Sequence, residues 1–258
     1  MTEYTDHFGP EGLRTRGTVV VVPGRGETRA TYARLGRRLA ADAYRVRVVD
    51  APVTDPADPA GSLRRFDGLL AEAVEGVSPG PEGVVRPLVL LGADAGATAV
   101  AALTGGGGAP SAVRPDAVVL AGLPAPTGAA AVGADWDHEL DVRTACPAHR
   151  STLTADAGTR RGALDEAVPA SLLAAAYDGE PGVPTLFLVG DRDPLADREA
   201  LARTAKSLDR GRLSVVRDAH HDVLNDLQHR SAAAEIVTFL ETLRNGLVPV
   251  VDVDSSAW

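Results

Sequence analysis

Residues 92–96, Gly92-Ala93-Asp94-Ala95-Gly96, follow an apolar run and precede an alanine-rich stretch. Small residues on both sides of one functional side chain describe a sharp strand-to-helix bend, the G-x-S-x-G nucleophile elbow, with Asp94 in the serine position. Three further segments bring reactive groups to the ends of apolar runs. Pro23-Gly24-Arg25-Gly26-Glu27 offers glycines that let the backbone turn and aim amide N–H groups at a substrate oxygen. Gly190-Asp191-Arg192-Asp193-Pro194 offers a carboxylate from either aspartate. Asp218-Ala219-His220-His221-Asp222 offers an imidazole from either histidine.

The chemistry follows from the residue at the bend. A carboxylate is a poor nucleophile toward a carbonyl, because the anhydride it would form is high in energy. It suits attack at saturated carbon, an epoxide or a carbon–halogen bond, which leaves an ester on Asp94. A helix starting at the bend favours the ionised carboxylate.

The elements that must hold these groups are legible as alternating patterns. Strands are expected at 17–22, 45–50, 87–93, 116–121, 184–190 and 212–217, each a short apolar or β-branched run. Helices are expected at 31–43, around 62–75, after Asp94, and at roughly 226–244. Strands separated by helices indicate βαβ units, a mostly parallel sheet and right-handed crossovers that cover both faces. Residues 123–183 break the rhythm, being too long for a simple connection. They read as a cap insertion, with 1–122 and 184–258 forming the core. The tail "LVPVVDVDSSAW" has strand-like composition; it could pack on the domain or pair with a second chain, which leaves a homo-oligomer open.

At this point the chain resembles a known family. "VVVVPGRGETRATYARLGRRLAADAYRVRVVD" looks like the opening of the monoglyceride-lipase and lysophospholipase branch of the α/β-hydrolases, and "DAHHDVLND" resembles that branch's histidine motif. The resemblance implies an α/β-hydrolase fold, with Asp193 as the triad acid and His221 as the triad histidine. It also implies an oxyanion hole from the backbone N–H groups of Arg25 and Ala95. His221, held by Asp193, would then activate water against the ester on Asp94, as in haloalkane dehalogenases and epoxide hydrolases. The chain departs from its relatives in several places. Pro23 replaces the usual oxyanion-loop histidine, Ala95 stands where those cousins often carry Trp, and only Tyr177 lies in the insertion where epoxide hydrolases use two tyrosines. Trp136 and Tyr177 are the expected pocket residues. Little sequence precedes the first clear strand, so the antiparallel hairpin that often opens this fold is expected to be missing.

Composition narrows the partners. At 258 residues with 45% apolar and 24% charged side chains, the chain suits one large α/β domain. A formal charge of −9 without any basic stripe argues against nucleic acid. No apolar leader or membrane-length run appears, and the single Cys146 excludes an internal disulfide, which together suggest a cytoplasmic protein acting on a small molecule. Cys146, His149 and His138 lack metal-site spacing, so neither zinc nor a cofactor is expected. Arg143 and Arg150 read as solvated. Two other functions fit the same residues. Asp94 and His221 could serve as acid–base groups of a lyase, isomerase or cyclase. Alternatively, the fold could be an inactive ligand-binding homologue.

Overall fold

The computed structural model describes residues 4–77, 83–106, 111–128, 132–133, 135–252 and 254. Its centre is a seven-stranded sheet in the order β1-β3-β2-β4-β5-β6-β7. The strands are β1 (Thr5–His7), β2 (Gly17–Val22), β3 (Tyr44–Val48), β4 (Leu88–Ala93), β5 (Ala117–Ala121), β6 (Thr185–Gly190) and β7 (Gly211–Val216). All neighbours pair in parallel except β1, which runs antiparallel to β3. Along β2 every residue is buried, and alternate valines enter different cores: Val19 and Val21 one, Val20 and Val22 the other. That two-sided burial is why the strand reads as unbroken valine and not as an apolar–polar alternation.

Helices fill the connections: α1 (Ala33–Ala41), α2 (Pro59–Gly76), α3 (Asp94–Thr104), α7 (Arg198–Ser207) and α8 (His229–Arg244). Between β5 and β6 lie α4 (Trp136–Arg143), α5 (Pro147–Ala155), a 3-10 turn at Ala163–Asp165, and α6 (Ala170–Asp178). Helix α6 packs on α3, where Gly179 and Gly105 meet so closely that a Cβ on Gly179 would lie 3.0 Å from the Gly105 Cα.

Two points refine the expectations. A single short antiparallel strand opens the sheet, paired with β3 and not with β2 as a hairpin. Thr5–His7 has no apolar pattern to announce it; it is held at the edge by Arg47, whose guanidinium pairs with Asp6 at 2.6 Å and lies over the Tyr4 ring. The described part of the tail forms no strand, and Val248, Val250 and Val251 are exposed. Residues 253 and 255–258 of the tail, and 107–110 of the glycine-rich loop after α3, lie outside the described residues.

Candidate active site

The bend after β4 carries Asp94 in the left-handed region, at φ +48°. A non-glycine residue tolerates that conformation only where its surroundings enforce it. Close packing does so here. A Cβ on Gly96 would come within 2.4 Å of the Pro23 carbonyl oxygen and 2.5 Å of that of Val22, so only glycine lets α3 approach β2 this tightly. The side chain of Asp94 is thereby thrown up above the carboxyl ends of the strands, where open α/β sheets gather their functional groups.

The chain brings Asp94, His221 and Asp193 into one row. His221 Nδ1 lies 3.0 Å from Asp193 Oδ2, and His221 Nε2 lies 3.3 Å from Asp94 Oδ1. The first contact is a hydrogen bond. The second has ion-pair distance without hydrogen-bond direction, leaving Nε2 otherwise unpartnered. His220 turns away to Asp226 at 2.9 Å, and Asp191 accepts from the backbone N–H of Asp218, so neither residue's twin competes for the row.

Arg25 is the residue that sequence reasoning missed in its main role. Its backbone N–H donates to Asp94 Oδ2 at 2.8 Å, as an oxyanion-loop amide would to a substrate oxygen. Its side chain then folds onto the same carboxylate: Nε donates to Oδ2 at 2.9 Å and Nη2 to Oδ1 at 2.8 Å. Nη1 is tied to the carbonyls of Leu164 and Glu166 at 2.8 and 2.7 Å. This is a buried, bidentate pair, the strong form of an arginine–carboxylate contact. The only signal in the sequence was general: an aspartate at a buried bend needs a cation, and nothing in the spacing singles out Arg25 as the one that supplies it.

The electrostatics follow. Burial pushes the Asp94 carboxyl upward, but the charge of Arg25 and hydrogen bonding outweigh it and hold the group well below the usual carboxylate range. Burial pushes His221 down, yet the charge and hydrogen bond of Asp193, helped by Asp94, raise it to about 10. At neutral pH an imidazolium therefore faces the Asp94 carboxylate, with Arg25 as the second cation.

Two spaces flank this row. A void of about 10 Å³ is bounded by Asp94, His221, Glu27, Tyr32, Asp222 and Asn225 among others. On the other side of Arg25, a cleft of about 510 Å³ is lined by Ala51, Pro52, Val53, Ala95, Val168 and Leu172, with Arg160 and Glu166 also at its wall. Ala95 is among the residues at the cleft wall. Trp136 and Tyr177 line neither space. Trp136 Nε1 donates to Thr154 and its ring lies under Arg161, while Tyr177 is buried in the core with its hydroxyl donating to the Pro124 carbonyl. Both aromatics serve packing, and the cleft is walled instead by small aliphatic residues and prolines.

A second ionic cluster adjoins the first. Arg143 is not solvated: it is buried and pairs with Glu139 at 2.9 Å, while its Nη2 also donates to the Arg25 carbonyl. Arg150 is partly exposed and pairs with Asp141. His149 Nε2 bonds Asp222 Oδ2 at 2.8 Å, so it is not the partner of Cys146, whose buried sulfur meets Arg34 instead. Burial and the neighbouring Asp222 raise the Glu27 carboxyl to about 7 against the opposing pull of Arg143.

No helix among the described residues is long and apolar enough to cross a membrane. No protein-family model matches the chain, and no curated protein matches its sequence. Solved structures do resemble it. A soluble variant of monoglyceride lipase from Saccharomyces cerevisiae, in complex with a substrate analogue, is similar with a TM-score of 0.67 at 15% identity, over 93% of this chain and 91% of that one. The Paleococcus ferrophilus monoacylglycerol lipase gives 0.64 at 17% identity, over 94% and 99%. A putative non-heme bromoperoxidase, BpoC from Mycobacterium tuberculosis, gives 0.61 at 15% identity, over 94% and 96%. With its mostly parallel seven-stranded sheet, its elbow after β4 and this set of structural neighbours, the chain has the α/β-hydrolase fold.

Proposed function

We propose that this protein is a hydrolase of small organic electrophiles, with epoxides as the substrate class. Asp94 attacks a saturated carbon, and His221, steadied by Asp193, supplies and removes protons. The observation that carries this reading is the row itself, with one imidazole reaching both aspartates at 3.0 and 3.3 Å. A protonated His221 favours an epoxide over an alkyl halide. Asp94 Oδ1 forms the new C–O bond, the ring C–O bond breaks, and the ring oxygen takes the imidazolium proton. That donor stands in for the tyrosine pair this chain lacks.

Loss of the Asp94 charge then lowers the proton affinity of His221, and the neutral imidazole removes a proton from water. The hydroxide adds to the ester carbonyl, and the intermediate expels the diol oxygen, which takes the proton back. The Asp94 acid finally returns its proton to His221, closing the cycle with one epoxide and one water consumed. Substrate enters from the cleft of about 510 Å³, so Arg25 must release the carboxylate before attack.

That requirement supports a second reading. Arg25 occupies both oxygens of Asp94, which also suits an inactive homologue that binds a ligand in the cleft with the row kept as a structural ion network. Incubating His221→Gln protein with a panel of small alkyl halides, whose displacement needs no proton donor, followed by mass spectrometry of the Asp94 peptide, separates the two. An accumulating adduct is expected for the hydrolase; none across the panel, with ligand binding retained, establishes the binding protein. Acid–base catalysis without a covalent step is the remaining alternative. Single turnover in labelled water distinguishes it, since only the covalent route places solvent oxygen into Asp94.

A further inference from the structure

We infer that Glu27, His149 and Asp222 form a buried binding site for one divalent transition-metal ion, with Asn225 as a neighbouring oxygen donor. The three residues come from different parts of the chain: the loop after β2, helix α5 and the loop after β7. Each presents a ligand atom, and these atoms lie within 4.8 Å of one another. This is a reversal of the sequence expectation. Spacing along the chain could not reveal the site, because no two of its ligands share an element.

Four observations support a cation there. The first is charge. Glu27 and Glu139 are buried, and the Asp222 side chain nearly so, around the Arg143 guanidinium, which makes its close pair with Glu139 at 2.9 Å and only a loose contact of 3.5 Å with Asp222. Carboxylates gathered in a region of low dielectric are costly to hold ionised, and a divalent cation would offset that cost.

The second is the arrangement of lone pairs. Glu27 accepts the Gly24 N–H and the Tyr32 hydroxyl, both through Oε2, which leaves Oε1 for a ligand. Asp222 Oδ2 and His149 Nε2 bond one another at 2.8 Å, and a bound ion would take the place of the proton between them. Outer partners that fix the Glu27 carboxylate by one oxygen and free the other are the usual support of a metal ligand.

The third is Asn225, 1% exposed, whose Oδ1 has no hydrogen-bond partner although it lines the same void as Glu27 and Asp222. A buried carbonyl oxygen without a donor calls for an explanation, and a cation provides one. The fourth is size: a void of about 10 Å³ admits an ion or one water and excludes an organic ligand. One imidazole with oxygen donors suits ions of the manganese-to-zinc series better than calcium or magnesium, which prefer oxygen alone.

The test uses the whole chain and no substrate. After dialysis against a chelator, the protein is titrated with Zn²⁺ by calorimetry and with Co²⁺ by visible absorption, alongside Glu27→Gln and His149→Gln. Both substitutions keep hydrogen-bonding groups in place, and circular dichroism checks their folding. The expected result is one equivalent of either ion in the parent and a ~10–100-fold weaker affinity in each variant. His138→Ala, outside the cluster, should bind as the parent does. Zn²⁺ should raise the melting temperature of the parent and of His138→Ala but of neither ligand variant. No binding by the parent, or equal binding by all four proteins, overturns the site. Because none of these readings involves Asp94 turnover, the site stands or falls separately from the hydrolase reading.

Discussion

The cleft lined by Val53, Val168 and Leu172 and the void beside His221 differ in volume about fiftyfold, roughly 510 against 10 Å³, and they are linked by Arg25 at the cleft wall, bonded to Asp94 at the wall of the void. The larger space has room for a substrate and few chemical groups. The smaller has Asp94, His221, Glu27 and Asp222 and no room. Placing aspartate at the elbow adds a buried negative charge, and a guanidinium answers it. The answer partitions the site, so the substitution that changes the chemistry also changes the access.

Removing the partition should have the largest effect. Arg25→Leu leaves the Asp94 carboxylate buried without its cation, a loss of about 3–5 kcal/mol in urea denaturation at pH 7. Adding Asp94→Asn should recover much of that, giving a large coupling energy in the double-mutant cycle. A single-variant loss under about 1 kcal/mol would mean that Arg25 does not hold the partition, and the comparison between the two spaces would lose its cause.

The pH dependence should be smaller and shaped by two groups. His221 is raised to about 10 in the fold from its ordinary 6.5. Its stabilising effect is therefore complete below about pH 6.5 and lost as pH rises through about 10. Asp94 is held below its ordinary value, so its contribution is present above about pH 4 and lost as pH falls further. Comparing the parent with His221→Gln between pH 5 and 10 should show a difference on the order of 3 kcal/mol that shrinks toward alkaline pH. An imidazole titration near 6.5 by NMR would show that the void is wet and the row is not ion-paired.

The centre of the sheet was legible because its inner strands are buried on both sides: a run such as Val19–Val22 needs no partner to be recognised. The elbow and the Asp193–His221 contact were legible because glycines and strand ends mark them. What escaped was set by tertiary charge balance. Arg25 looked like a loop residue offering only its amide, and Glu27 like the polar end of a turn. Arg143 looked solvated because nothing nearby in sequence shows that Asp222 and Glu139 converge on it. Trp136 and Tyr177 were drawn to the pocket by their place in the insertion and the likeness to epoxide hydrolases, whereas their hydrogen bonds to Thr154 and Pro124 fix them elsewhere. Buried counter-charges come from distant segments, and periodicity carries no information about them.

The smallest expected effect tests the other side of the partition. Val53 stands at the cleft mouth, 87% exposed, and makes little contribution to the core. Val53→Trp should shift stability by no more than about 0.5 kcal/mol, as surface changes usually do. If substrates reach Asp94 through the cleft, the larger ring should nevertheless slow alkyl-halide labelling of Asp94 several-fold in the His221→Gln background. Labelling at an unchanged rate would show that substrate arrives by another path, and that the cleft is roomy for some reason unconnected with the row. A steric change distant from the charges thus decides whether the two spaces work together, since it leaves Arg25, Asp94 and His221 untouched.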